Sequence, residues 1–116
     1  MKDFMMIFIG TSYEELGLSP EQLQERMSRW WDWGNKMEEQ GALKGGNALL
    51  DPAKRVSGPD RLVSDGPFVE SKELVGGYYI VSASSMDEVV EMAQGFPDYD
   101  LGSAVEIREV MNFEET

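Results

Sequence analysis

Apolar side chains in this chain fall into short runs, and the spacing inside each run assigns its element. Phe4-Met5-Met6-Ile7-Phe8-Ile9, closed by Gly10, has the length and residue types of a strand but no polar alternation. A strand that is apolar on both parities is expected where both of its faces are covered. Ser19-Pro20-Glu21-Gln22 predicts a helix start: Ser19 caps, Pro20 suits the first helical position and Gln22 completes a capping box. The helix runs to about Gln40 and stops at Gly41. Leu23, Met27, Trp30, Gly34 and Met37 form its apolar stripe, with Trp31 and Trp33 to either side. Gly34 within that stripe costs about 1 kcal/mol of helix stability relative to Ala. Close approach of the helix to a sheet would offset that cost.

Ala42 to Leu50 predicts a second strand, bent or bulged at Gly45-Gly46 and broken by Asp51-Pro52. Lys54–Ser57 and Arg61–Ser64 read as the arms of a polar hairpin around Gly58-Pro59-Asp60. Asp65-Gly66-Pro67-Phe68 reads as a further turn. Leu74 to Ser82 is a strand, apolar on both parities at Tyr78, Tyr79, Ile80 and Val81. Ser85-Met86-Asp87-Glu88 opens a second helix that ends at Gly95. Ala104 to Met111 is the last strand, and there Val105 and Ile107 alternate with Glu106 and Arg108.

The order strand, helix, strand, hairpin, strand, helix, strand is that of an α+β, ferredoxin-like split β-α-β domain. Its helices lie on one face of an antiparallel sheet, and residues 1–116 form one domain on this reading. The opposite sheet face would then expose large apolar side chains, a patch of the size a monomer rarely tolerates. The same face of a second copy is the simplest cover, so a homodimer is expected.

Composition narrows the chemistry. The 116 residues carry 22 acids, 10 bases, no His and no Cys, for a net charge of −12. The absence of Cys removes disulfides, thiolate nucleophiles and zinc–thiolate sites; the absence of His removes imidazole bases and ligands. An acidic surface disfavours nucleic acid and anionic membranes as partners. The N-terminal apolar run is too short to span a bilayer and lacks the basic region of a signal peptide, so a cytoplasmic location is expected. No metal or cofactor is called for. The carboxylates have no EF-hand spacing, and Gly45-Gly46 and Gly76-Gly77 lack the strand–loop–helix setting of a nucleotide fingerprint.

Asp65-Gly66-Pro67-Phe68-Val69-Glu70-Ser71-Lys72-Glu73, followed by Gly76-Gly77-Tyr78-Tyr79-Ile80, closely resembles the DGPF branch of the YCII-related proteins. Gly41-Ala42-Leu43 before a glycine-rich strand, Asp87-Glu88 at the second helix and Val105-Glu106-Ile107-Arg108 near the end extend the resemblance over nearly the whole chain. It implies a dimeric α/β barrel, two ferredoxin-like sheets facing each other around a cleft. Some relatives in the broader superfamily are proposed to use a His-Asp pair, and some resemble small lyases or dehalogenases. A chain without His has no counterpart of that pair, so the resemblance assigns no catalytic residue here.

Three groups of residues are candidates for a binding site. Asp65, Glu70, Lys72 and Glu73 surround a turn entering a central strand, and Glu70 and Lys72 share a face of an extended segment. The alternative is that Asp65 caps the turn while the others make ion pairs or dimer contacts. Glu106 and Arg108 should face the dimer cleft, paired with each other or with an anionic ligand. Trp30 is expected in the core, while Trp31, Trp33, Tyr78 and Tyr79 either line an apolar pocket or pack helix on sheet. Together these point to a homodimer that binds a small molecule, an anionic one among the candidates, in a cleft. The other reading is a non-catalytic accessory or regulatory module acting through its acidic outer surface.

Overall fold

The computed structural model describes residues 1–66 and 74–114. Its elements, in chain order, are β1 (Lys2–Gly10), α1 (Tyr13–Leu16), α2 (Pro20–Glu39), β2 (Leu43–Ala48), β3 (Ala53–Ser57), β4 (Leu62–Gly66), β5 (Leu74–Ala83), α3 (Met86–Ala93), a 3-10 turn (Tyr99–Leu101) and β6 (Ala104–Glu109). Four strands form one antiparallel sheet in the order β2-β5-β1-β6. β1 and β2 both run antiparallel to β5, so they are parallel to each other with β5 inserted between them. This is the split β-α-β arrangement that the order of elements predicts.

Strand parity sets the two sheet faces. Phe4, Met6 and Phe8 of β1 are buried with Val81 and Ala83 of β5, under Trp33 and Met37 of α2 and Val89 and Ala93 of α3. Val105 and Ile107 of β6 pack against the same core. Met5, Ile7 and Ile9 alternate with the buried set of β1 and are only half-covered within one chain. Register aligns them into cross-strand rows: Gly45, Ile80, Met5 and Arg108 in one, Asn47, Tyr78, Ile7 and Glu106 in the next. The open face is therefore apolar in its middle strands and charged along β6.

Both long helices begin as their sequences prescribe. The Ser19 side chain accepts from the Gln22 backbone at 3.2 Å, and the Gln22 side chain accepts from the Ser19 backbone at 2.8 Å. Ser85 caps α3 through the Glu88 backbone, and Glu88 in turn accepts from Ser84, which holds its carboxyl below the usual range. The inward stripe of α2 is rotated from the expected one. Trp33, Gly34 and Met37 are buried, Trp30 is partly buried, and Met27 is exposed. Trp33 fits because Gly95 leaves room for it: a Cβ there would lie 2.6 Å from Cδ1 of its indole. The indole Nε1 donates to the Met92 carbonyl at 2.8 Å, which fixes α2 against the end of α3.

Other differences are local. α1 and the 3-10 turn have no counterpart in the predicted elements. Asp65 and Gly66 continue β4 instead of opening a turn, in register with Lys54 and Ala53. The rest of that expected turn lies outside the described residues. β3 and β4 make a separate two-stranded sheet whose residues from Ala53 to Val63 are exposed. Gly58 and Arg61 at its tip both adopt positive φ, 76° and 51°. Among the described residues no helix is long and apolar enough to cross a membrane.

Met6 is fully buried at the centre of the core. Met6→Ala is expected to destabilise the fold by about 2–5 kcal/mol. Urea titration should show a lower midpoint with an unchanged slope; a midpoint like that of the parent would contradict this placement of the core.

Candidate functional site

A cavity of about 550 Å³ opens between α2 and the sheet, on the core face and towards the ends of β2 and β5. Its walls are Phe8 from β1, Met27, Trp30, Trp31 and Gly34 from α2, Tyr79 from β5, and Phe96 beyond α3. Polar residues of its lining include Ser12, Tyr13, Asn35, Glu38, Asp51, Asp98 and Ser103. The aromatic wall is ordered by ring-on-ring contact. Phe8 meets Trp30 edge-on at 4.9 Å, Tyr79 edge-on at 5.1 Å and Phe96 in a stack at 5.4 Å. Such contacts add about 0.5–1.5 kcal/mol each beyond burial itself. The gap left by Gly34 is met by the Tyr79 hydroxyl, 3.4 Å from where a Cβ would stand.

One end of the cavity is built around a buried acid. Asp98 is 5% exposed, and a carboxylate that far from water must be hydrogen-bonded or paired. Its Oδ2 accepts from the Tyr13 hydroxyl at 2.5 Å and from Trp30 Nε1 at 3.3 Å. Trp30 Nε1 also donates to the Tyr13 oxygen at 2.9 Å. Oδ1 has one long contact with Arg26, at 3.5 Å. Arg26 is held more firmly elsewhere: it forks onto both oxygens of Asp100 at 2.6 Å and donates to the Pro97 carbonyl at 3.0 Å. That pair raises the Arg26 pKa and lowers that of Asp100. Burial, together with the bond to Asp98, pushes the Tyr13 phenol well above its ordinary value. Burial raises Tyr79 as well. Both phenols are therefore neutral donors at neutral pH.

The residues expected to form a site are dispersed. Tyr79 lines the cavity, as does Trp31, whereas Trp33 is core. Tyr78 precedes Tyr79 and points to the opposite face, and its hydroxyl accepts from the Asn47 amide at 2.9 Å. Glu106 and Arg108 lie exposed on β6, 4.0 Å apart, and contribute nothing to the cavity wall. Asp65 sits on the hairpin in an exposed ion pair with Lys54 at 3.2 Å. Glu70, Lys72 and Glu73 lie outside the described residues.

Sequence reasoning passed over Tyr13, Asp98 and Arg26. A local signal existed for the first: Ser12, whose side chain accepts from the Glu15 backbone, and Gly17, in the left-handed conformation, bracket the short α1 that presents Tyr13. Asp98 carries no such signal, since its partner Tyr13 is 85 positions away.

A sequence profile described as "YCII-related domain" matches residues 4–114. An uncharacterized protein of Rhizobium meliloti is 40% identical over 40 residues, a match that spans 34% of this chain and 32% of that relative. Among solved structures, 5-chloro-2-hydroxyhydroquinone dehydrochlorinase from Burkholderia phenoliruptrix, in complex with 2,5-dihydroxybenzoquinone, superposes with a TM-score of 0.51. The two chains share 17% identity, with 97% of this chain and 96% of that one covered. A likeness of that kind extends to the fold.

Removing the Tyr13 hydroxyl leaves Asp98 Oδ2 with Trp30 alone, so Tyr13→Phe is expected to cost about 1–3 kcal/mol. The phenol's raised pKa also sets a pH dependence. A group whose folded pKa exceeds its unfolded value of about 10 stabilises fully below that value and progressively less above it. Thermal unfolding of the parent should therefore fall from about pH 10 upward, and less steeply in Tyr13→Phe. Equal slopes in the two proteins would show that Tyr13 is not held as described.

Proposed function

The chain belongs to the YCII-related domain family, and from that premise we propose that it binds a small organic molecule in the cavity between α2 and the sheet. The observation that carries this reading is the cavity itself. Its volume of about 550 Å³ falls within the roughly 300–1,000 Å³ of small-molecule sites. Its wall is mostly apolar, rich in aromatic rings, with a smaller set of polar groups among them, the usual composition of such a site. The complex of the dehydrochlorinase with 2,5-dihydroxybenzoquinone is a precedent for ligand binding on this fold.

The open face of the sheet supports a second part of the proposal, a homodimer. Met5, Ile7, Tyr78 and Ile80 are only half-covered within one chain and form a contiguous apolar centre across β1 and β5. Glu106 and Arg108 border it along β6 and would lie at the rim of such an interface, where charges tend to collect. On this reading Tyr78, Glu106 and Arg108 serve association, and Tyr79 serves the ligand.

A thermal-shift screen with metabolites should find a ligand that raises the melting temperature and quenches tryptophan fluorescence. Trp31 is 70% exposed and lines the cavity. Trp31→Ala is therefore expected to weaken that ligand about tenfold while leaving stability within about 0.5 kcal/mol of the parent. A ligand whose affinity the substitution leaves untouched binds elsewhere and overturns the reading. Light scattering on a sizing column should return about twice the 13.1 kDa of one chain. The single-chain mass at micromolar concentration would remove the dimer.

A further inference from the structure

Among the described residues, the charged side chains that line the cavity are all acidic: Glu38, Asp51 and Asp98, with no Lys or Arg. The whole chain carries −12, so the field at the mouth reinforces the local one. The nearest guanidinium described above, that of Arg26, is forked onto Asp100 and leaves Asp98 Oδ1 with a single contact at 3.5 Å. A carboxylate oxygen has room for more than one donor, so Oδ1 retains acceptor capacity. The rings of Trp30, Trp31 and Tyr79 also line it, beside aliphatic side chains such as Met27 and Leu43.

Carboxylates and electron-rich rings around one concavity favour a cation, through direct charge attraction and through the quadrupole of the rings. The same surroundings penalise an anion. Resting on the small-molecule reading above, we propose that the ligand of this cavity is an organic amine: a protonated ammonium joined to an apolar, aromatic-sized body. The ammonium sits towards the carboxylates, and the body packs among the rings. Arg108 had pointed to an anionic ligand from sequence, but it stands away from the cavity wall on β6.

The test uses three probes of nearly one shape: 2-phenylethylammonium, neutral 2-phenylethanol and the anion phenylacetate, each titrated against the full chain and followed by tryptophan fluorescence. The ammonium should bind about tenfold more tightly than the alcohol, a difference typical of a partly desolvated cation among rings and acids. Phenylacetate should bind weakest. Because Asp98 is part of a buried network, the charge is better removed at the margin. The double variant E38Q/D51N should lose most of the preference for the ammonium, with the affinity for 2-phenylethanol unchanged. If the alcohol or phenylacetate binds as tightly as the ammonium, the amine inference falls while the cavity remains a binding site. If none of the three binds at millimolar concentration, the inference falls and the small-molecule reading is weakened with it. A preference for the ammonium that survives E38Q/D51N also overturns the assignment to these carboxylates.

Discussion

The contact on which most else depends is the packing of rings around Phe8. Four aromatic side chains meet it: Trp30 and Trp33 from α2, Tyr79 from the neighbouring strand and Phe96 from beyond α3. They come from three stretches of chain, so one strand residue joins the long helix, the central strand pair and the end of the second helix. Rings also keep their shape better than aliphatic chains when packed, having only two side-chain torsions to fix. A helix seated on indoles stands off the sheet wherever the indoles do not fill the space beneath it. The cavity beside Phe8 is consistent with that geometry, because its walls are the same rings that make the core. Core and site are thus two sides of one cluster.

The second constraint is electrostatic. Asp98 is held with almost no exposure, and the groups that make this tolerable are the Tyr13 hydroxyl, the Trp30 indole and, at longer range, Arg26. These come from α1 and α2, while Asp98 itself precedes the turn into β6. The carboxylate therefore ties both ends of the fold to the helix that forms the cavity roof. It also fixes the Tyr13 and Trp30 donors at that end of the cavity.

Fold and site were legible in the sequence to different degrees, for physical reasons. Helix starts are written locally: Ser19 and Gln22 lie three apart and bond each other, and Ser85 caps Glu88, whose side chain turns back to Ser84. The strands that are apolar on both parities likewise marked β1 and β5 as central. The phase of α2 was less legible. Trp30, Trp31, Trp33 and Gly34 fall within little more than one turn, so hydrophobic spacing alone does not choose among faces. What turns Arg26 inward, 13% exposed at its side chain, is Asp98 and Asp100, more than seventy positions on. Long-range polar pairing of this kind leaves no periodic trace. Glu106 and Arg108, by contrast, follow strand parity and stand exposed on the open face of β6, away from the core.

Adjacent residues of one strand point to opposite faces, and this separates two tasks that the sequence had placed in a single cleft. Tyr78 and Tyr79 are neighbours, but one bonds Asn47 on the open face and the other walls the cavity. In β1, Ile7 and Phe8 divide in the same way. In the proposed dimer, then, the centres of the two surfaces fall on opposite parities, and Ile9 and Asn47, which also border the cavity, are where they meet. β1 and β5 make the most extensive pairing in the sheet, with nine partnered residues on β1. A ladder of that length is costly to shift, so this architecture favours a dimer that holds its cavity rigid over one that opens and closes with its ligand.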